Sequence, residues 1–125
     1  MGGRFSYRRI YEDTPPSQDG RRVLVDRLWP RGMSKERAHL DEWLRDVAPS
    51  DDLRRWYHHD PQLFADFRDR YIAELEDAGH RPAVEHLRSL AARDKVTLLT
   101  ATKDLDHSEA AVLAHWLDSV GTTSG

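Results

Sequence analysis

The chain has 125 residues, no cysteine, and a formal charge of −3 from 19 basic and 22 acidic side chains. That length suits a single domain over residues 1–125, and the lack of cysteine excludes disulfides, thiolate metal sites and a cysteine nucleophile. The slight acidity gives no bulk basic footprint for nucleic acid, and the longest strictly apolar run, Ala110–Ala114, is far short of the roughly 20 residues that span a bilayer.

No apolar segment follows Met1-Gly2-Gly3-Arg4, so the sequence predicts a soluble, cytoplasmic protein without a membrane partner. The charged fraction of 33% is high and the apolar fraction of 38% is low. Eleven aromatic residues spread along the chain nevertheless supply a core. Arginine outnumbers lysine sixteen to three.

Phe5–Glu12 alternates apolar and polar side chains, the pattern of a half-exposed strand at a sheet edge. Thr14–Gly20 is a turn-rich connection closing on Asp19-Gly20. Val23-Leu24-Val25 is a short continuous apolar run, as in a strand buried on both sides. Ser34 predicts a helix cap, with Leu40, Trp43, Leu44 and Val47 on one stripe of a helix reaching about Val47. Pro49 stops it, and Ser50 starts a short helix through Leu53, Trp56 and Tyr57. Asp60-Pro61 is a second start signal, for a helix carrying Leu63, Phe64, Phe67, Tyr71, Ile72 and Leu75 up to Gly79. Another helix follows Pro82, with Val84, Leu87, Leu90 and Ala91. Val96–Thr102 is the clearest strand, and a last helix runs from near His107 to Gly121. Residues 1–4 and 122–125 are expected to fray. Buried strands separated by helices imply a parallel pair joined by a crossover. The predicted fold is thus a small α/β domain, with a mainly parallel sheet of about three strands and helices packed on it.

In such a sheet, ligands bind beyond the carboxyl ends of the strands. Asp26-Arg27-Leu28-Trp29-Pro30-Arg31-Gly32 follows the second strand and Thr102–His107 follows the last. If these strands are neighbours, Arg27, Arg31 and Lys103 share an edge with a helix N-terminus, an arrangement suited to a small anion. Trp29 is a candidate stacking wall. In an enzyme, Asp26 or Asp104 would be the general base or metal ligand, and His59 or His107 the proton shuttle. The competing possibility is that Asp26 pairs with Arg27 or Lys103 and only ties loops together. His59-Asp60 is a doublet of the type that ligates metals, but no second histidine stands at the required distance and Asp60 serves as a helix cap, so no metal is assigned. No motif names a cofactor, and no dinucleotide, Walker, serine-elbow or zinc-protease signature is present. The main alternative to an anion-binding domain is a non-catalytic module that docks protein or nucleic acid through an arginine-rich face.

The string Asp19-Gly20-Arg21-Arg22-Val23-Leu24-Val25-Asp26-Arg27-Leu28-Trp29-Pro30-Arg31-Gly32 resembles the signature of the YeaO-like family of small bacterial proteins, a domain of unknown function (DUF488). Ser34-Lys35-Glu36, Trp43-Leu44, Ala48-Pro49-Ser50, Leu53–Trp56, His59-Asp60-Pro61, Phe67-Arg68, Tyr71, Val96–Leu99, Lys103-Asp104 and His107 follow in the family's order. The resemblance runs from about Arg9 to Leu117. It implies a compact α/β fold and no established activity. Longer relatives carry a Cys-His-Arg feature after the last strand, chemistry that a chain without cysteine cannot take over. Thr100, His58 and Ser108 stand where the family usually has an aromatic residue, glycine and asparagine.

Overall fold

The computed structural model describes residues 5–11, 19–58 and 60–123. The most apolar run forms β4 (Val96–Thr100), every residue of which is buried. Because successive strand side chains point to opposite faces, a strand so placed must be covered on both. Its neighbours are β1 (Phe5–Arg9) and β2 (Arg21–Leu24), and β3 (Glu42–Trp43) pairs with β2 at the far edge. The order is β1-β4-β2-β3 and all three pairings are parallel. In register, Tyr7 and Val23 both lie opposite Leu98.

Two cores follow from the alternation. Val23, Val25, Val96 and Leu98 point into the larger one. It is filled by Leu53 and Tyr57 from α2 (Asp51–Tyr57), Phe67, Tyr71 and Leu75 from α3 (Phe64–Leu75), Val84 and Leu87 from α4 (Arg81–Ala91), and Leu113 and Leu117 from α5 (Glu109–Thr123). Leu24, Leu99 and Ile10 point the other way, against Met33 and Ala38. The short helix α1 (Lys35–Ala38) therefore covers part of the second face.

The α/β class stands, with four strands in place of about three. The added strand lies inside the segment 34–47, expected to be one helix. Ser34 does cap α1, accepting from the Arg37 N–H at 3.1 Å, but the helix ends after one turn at His39, which takes a left-handed φ of 50°. Arg22 removes the acceptors that a continuing helix would use: its Nε donates to the His39 carbonyl and its Nη2 to that of Ala38, both at 3.0 Å. Asp41 and Leu44 then donate their N–H groups to Arg22 and Leu24 of β2, and a single turn of 3₁₀ helix closes the segment at Arg45–Val47.

Other boundaries shift by a turn or less. Ser50 caps α2 through the Leu53 N–H, and Asp60 caps a 3₁₀ turn (Pro61–Leu63) that leads into α3. The latter helix stops at Leu75, short of Gly79. A 3₁₀ turn over Leu105–His107 precedes α5, which begins at Glu109 and continues past Gly121 to Thr123. Gly20 has φ +65°, and a Cβ there would collide with the Lys95 carbonyl oxygen, so this turn needs glycine. The rest of the expected connection from Thr14, the ends 1–4 and 124–125, and His59 lie outside the described residues. Among the described residues, no helix is long and apolar enough to cross a membrane.

Candidate functional site

β2 and β4 are hydrogen-bonded parallel neighbours, so the loops that follow them leave the same edge of the sheet. The ladder runs one step further, with Val25 N–H donating to Leu99 O at 3.0 Å. Asp26 then joins the two loops directly. Its Oδ1 accepts from the Thr100 hydroxyl at 2.7 Å and its Oδ2 from the Ala101 N–H at 2.8 Å. From the end of the outer strand β1, Arg9 Nε donates to Thr102 O at 3.1 Å, and in the turn beyond it the Tyr11 hydroxyl donates to Arg31 O at 2.9 Å. Both loops are thereby pinned to the sheet, which holds the groups they carry in fixed places.

A cleft of about 760 Å³ opens above this edge, within the range of small-molecule sites. Arg27, Trp29 and Arg31 from the first loop line it, with Asp26 at the root of that loop. Lys103, Asp104 and His107 line it from the second. Seven of the eight candidate residues thus share one cleft, and the eighth, His59, lies outside the described residues. Asp26 does tie loops together, but through Thr100 and Ala101. Arg27 pairs instead with Asp51 at the start of α2, Nε to Oδ1 3.5 Å, and among the described residues its shielded Nε finds no hydrogen-bond acceptor. Among the described residues no carboxylate pairs with Arg31 or Lys103, both of which are exposed.

Trp29 is less free than a stacking wall requires. Its indole N–H donates to Met33 O at 2.6 Å, and its ring meets Trp43 edge-on at 5.3 Å. It therefore shapes the loop as well as lining the cleft. Gly32 allows the turn with φ +71°. His107 is oriented by Asp104, with Nδ1 2.8 Å from Oδ2, and its ring stands edge-on to Phe64 at 4.8 Å.

The structure adds four residues that sequence reasoning missed. Arg54 and Arg55 of α2 bring two more cations to the cleft, paired with Asp51 at 2.7 Å and Asp52 at 2.8 Å. Tyr57 stacks on Phe67 at 4.1 Å and donates its hydroxyl to His107 O at 2.7 Å. Burial first, and then the charges of Asp104, Asp60 and Glu109, push its phenol up to about 12. Glu109, the first residue of α5, lines the cleft beside Asp26. Burial and then the neighbouring Asp26 charge raise its carboxyl well above the usual carboxylate range. In the sequence it looks like an ordinary acid in the first turn of a helix, favoured there by the dipole, and nothing local reveals the carboxylate across from it. Among the described residues, no group of three or more histidines and carboxylates could hold a metal ion.

The chain was also compared with known proteins. A family model described as the inactive DUF488-N3 subclade matches residues 4–123. An uncharacterised protein of Mycobacterium tuberculosis (strain H37Rv) is 49% identical over 110 residues, covering 88% of this chain and 90% of that protein. The uncharacterised protein YeaO of Escherichia coli is 42% identical over 113 residues, covering 90% and 96%. No solved structure matches.

Proposed function

The chain belongs to the YeaO-like DUF488 family, in the subclade whose model is described as inactive, and from that premise we propose that it is a binding domain for a small phosphorylated anion rather than a catalyst acting on one. One observation carries this: Arg27, Arg31, Arg54, Arg55 and Lys103 converge on a single cleft at the carboxyl edge of a parallel sheet. Planar guanidinium groups suit the paired oxygens of phosphate or carboxylate. Arg27, Arg31 and Lys103 hold the anion, and Trp29 with the exposed Leu28 forms an apolar border for the rest of the molecule, such as a nucleoside or sugar. Asp104 and His107 supply polar contacts at the same wall. The absent cysteine agrees with binding without turnover, since the nucleophile suggested by longer relatives has no counterpart here.

A thermal-shift series with nucleotides, sugar phosphates and inorganic phosphate tests it. A ligand at a hundredfold excess over its Kd stabilises the fold by about 2.7 kcal/mol, several degrees in Tm. Arg27→Ala and Lys103→Ala should both lose that shift. Equal shifts in wild type and both variants overturn the assignment. If no anion raises Tm, the arginine-rich face is left as a docking surface for protein or nucleic acid.

A further inference from the structure

Two acidic side chains stand among the cations of the cleft and are held against each other. Asp26 comes from the loop after β2 and Glu109 from the first turn of α5, and they meet across Thr100 at the end of β4. The Thr100 hydroxyl lies 2.7 Å from Asp26 Oδ1 and 3.5 Å from Glu109 Oε1, and it accepts from the Thr102 N–H at 3.2 Å. A hydroxyl has one proton to give, and the geometry sends it to Asp26. With the Ala101 N–H on its other oxygen, Asp26 has the donor set of a carboxylate. Glu109 has its own backbone N–H and the more distant Thr100 hydroxyl as donors, and burial and the Asp26 carboxylate outweigh them, so the proton of the pair belongs on its carboxyl.

We propose that Asp26 and Glu109 hold one proton between them in the cleft lining, and that uptake of an anion by the adjacent cationic wall is coupled to keeping that proton. This rests on the anion-binding reading above. With the proton in place, the lining holds two carboxylates, Asp26 and Asp104, and five cations, of which Arg27, Arg54 and Arg55 are shared with Asp51 and Asp52 at its rim. Without it, a third carboxylate joins them and repels the ligand at short range. Anion binding in turn makes the proton harder to remove, because the coupling is reciprocal. Burial of Glu109 and its nearness to Asp26 act in the direction this requires.

The other groups around Glu109 leave the effect identifiable. Tyr57 of α2 and Tyr71 of α3 both have phenols shifted upward, so they stay neutral across the range in question. Arg27, Arg54 and Lys103 are cations of the same lining. Asp104 and His107 stand on the turn before α5, and His58 at the end of α2 also lines the cleft. These two histidines are replaced in a separate variant, so that their part is read apart from that of Glu109.

Sulfate is the probe, because it stays fully ionised while phosphate does not. Its affinity is measured by calorimetry from about pH 5.5 to about pH 8.5 in wild type, Glu109→Gln and the double variant His58→Gln/His107→Gln. The expected result is an affinity that falls with rising pH in wild type, by up to about tenfold per unit, and a fall of similar slope in the histidine variant from whatever affinity the loss of His107 leaves it. Glu109→Gln, which is neutral throughout, should bind with little pH dependence. A flat wild-type profile, or a slope as steep in Glu109→Gln as in wild type, overturns the coupling. If sulfate binds none of the three at any pH, the anion site itself is wrong. The shared proton is then decided in the wild-type protein alone, by ¹³C NMR of the Glu109 carboxyl. A midpoint in the ordinary carboxylate range would overturn it.

Discussion

Arg22 and Arg27 belong to the same signature string and serve opposite ends of one strand. Arg22, 5% exposed, spends its guanidinium on Asp19 and on the carbonyls of Ala38 and His39. Asp19 is fully buried and also receives Arg8 Nε at 3.2 Å. Arg27 opens toward the cleft, where its carboxylate partner among the described residues is the exposed Asp51. Removing one member of a buried pair strands the other charge and costs about 3–5 kcal/mol, whereas an exposed pair is worth about 0–1 kcal/mol. Arg22→Met should therefore lower unfolding stability by several kcal/mol and Arg27→Met by less than about 1 kcal/mol. Urea unfolding of both variants gives the comparison, and similar losses would contradict these assignments. The sequence shows two arginines flanking an apolar run. Only the strand pairings tell which of them is structural.

At the scale of elements, α2 and α3 are joined through one serine. Ser50 caps α2 through Leu53, and Glu74 of α3 accepts both the Ser50 N–H at 2.8 Å and its hydroxyl at 2.5 Å. One side chain thus serves a helix terminus and a helix–helix contact together. Ser50→Ala should cost about 1 kcal/mol, and Glu74→Ala a similar amount. Because they share one interaction, the double variant should cost clearly less than the two losses added, and strict additivity in a double-mutant cycle would exclude the coupling. The cap itself is legible, as Ser50 follows a proline and precedes an apolar stripe. Its partner twenty-four residues on is not. The same division explains what the sequence shows elsewhere. Apolar runs and caps announce β2, β4, α2, α3, α4 and α5, because those signals are local. The segment 34–47 misleads, because Leu40, Trp43, Leu44 and Val47 have helical spacing while Arg22, far away in sequence, takes the carbonyls that a helix would need. In the cleft, the loops after β2 and β4 are legible from the rule that ligands gather at strand ends. Glu109, Tyr57, Arg54 and Arg55 reach it from helices whose orientation no local pattern encodes.

For the whole molecule, these placements leave a distinct mark on how stability depends on pH. Glu109 stays protonated in the fold well above its unfolded value of 4.5. Between those two pH values the folded state binds more protons than the unfolded state, so stability falls as pH rises. Its contribution is complete below about pH 4.5 and is lost as pH climbs through the raised folded value. Asp77, held low by hydrogen bonds from His80, works in the opposite sense and only under acid conditions, where falling pH removes its contribution. Tyr57 has the same sign as Glu109 but a separate window, lost between about pH 10 and about pH 12. Wild type should therefore be less stable near pH 8 than near pH 5 in urea unfolding, and Glu109→Gln should show a much smaller decline over that interval. Tyr57→Phe should leave the interval unchanged and instead remove part of the alkaline loss, at the cost of the hydrogen bond to His107. The two variants act on one cleft from different helices, and the windows separate because burial leads for both groups while the Asp26 charge adds to it at Glu109 and the Asp104 charge at Tyr57. A Glu109→Gln profile parallel to wild type would place the decline elsewhere and leave the carboxyl pair without a thermodynamic signature.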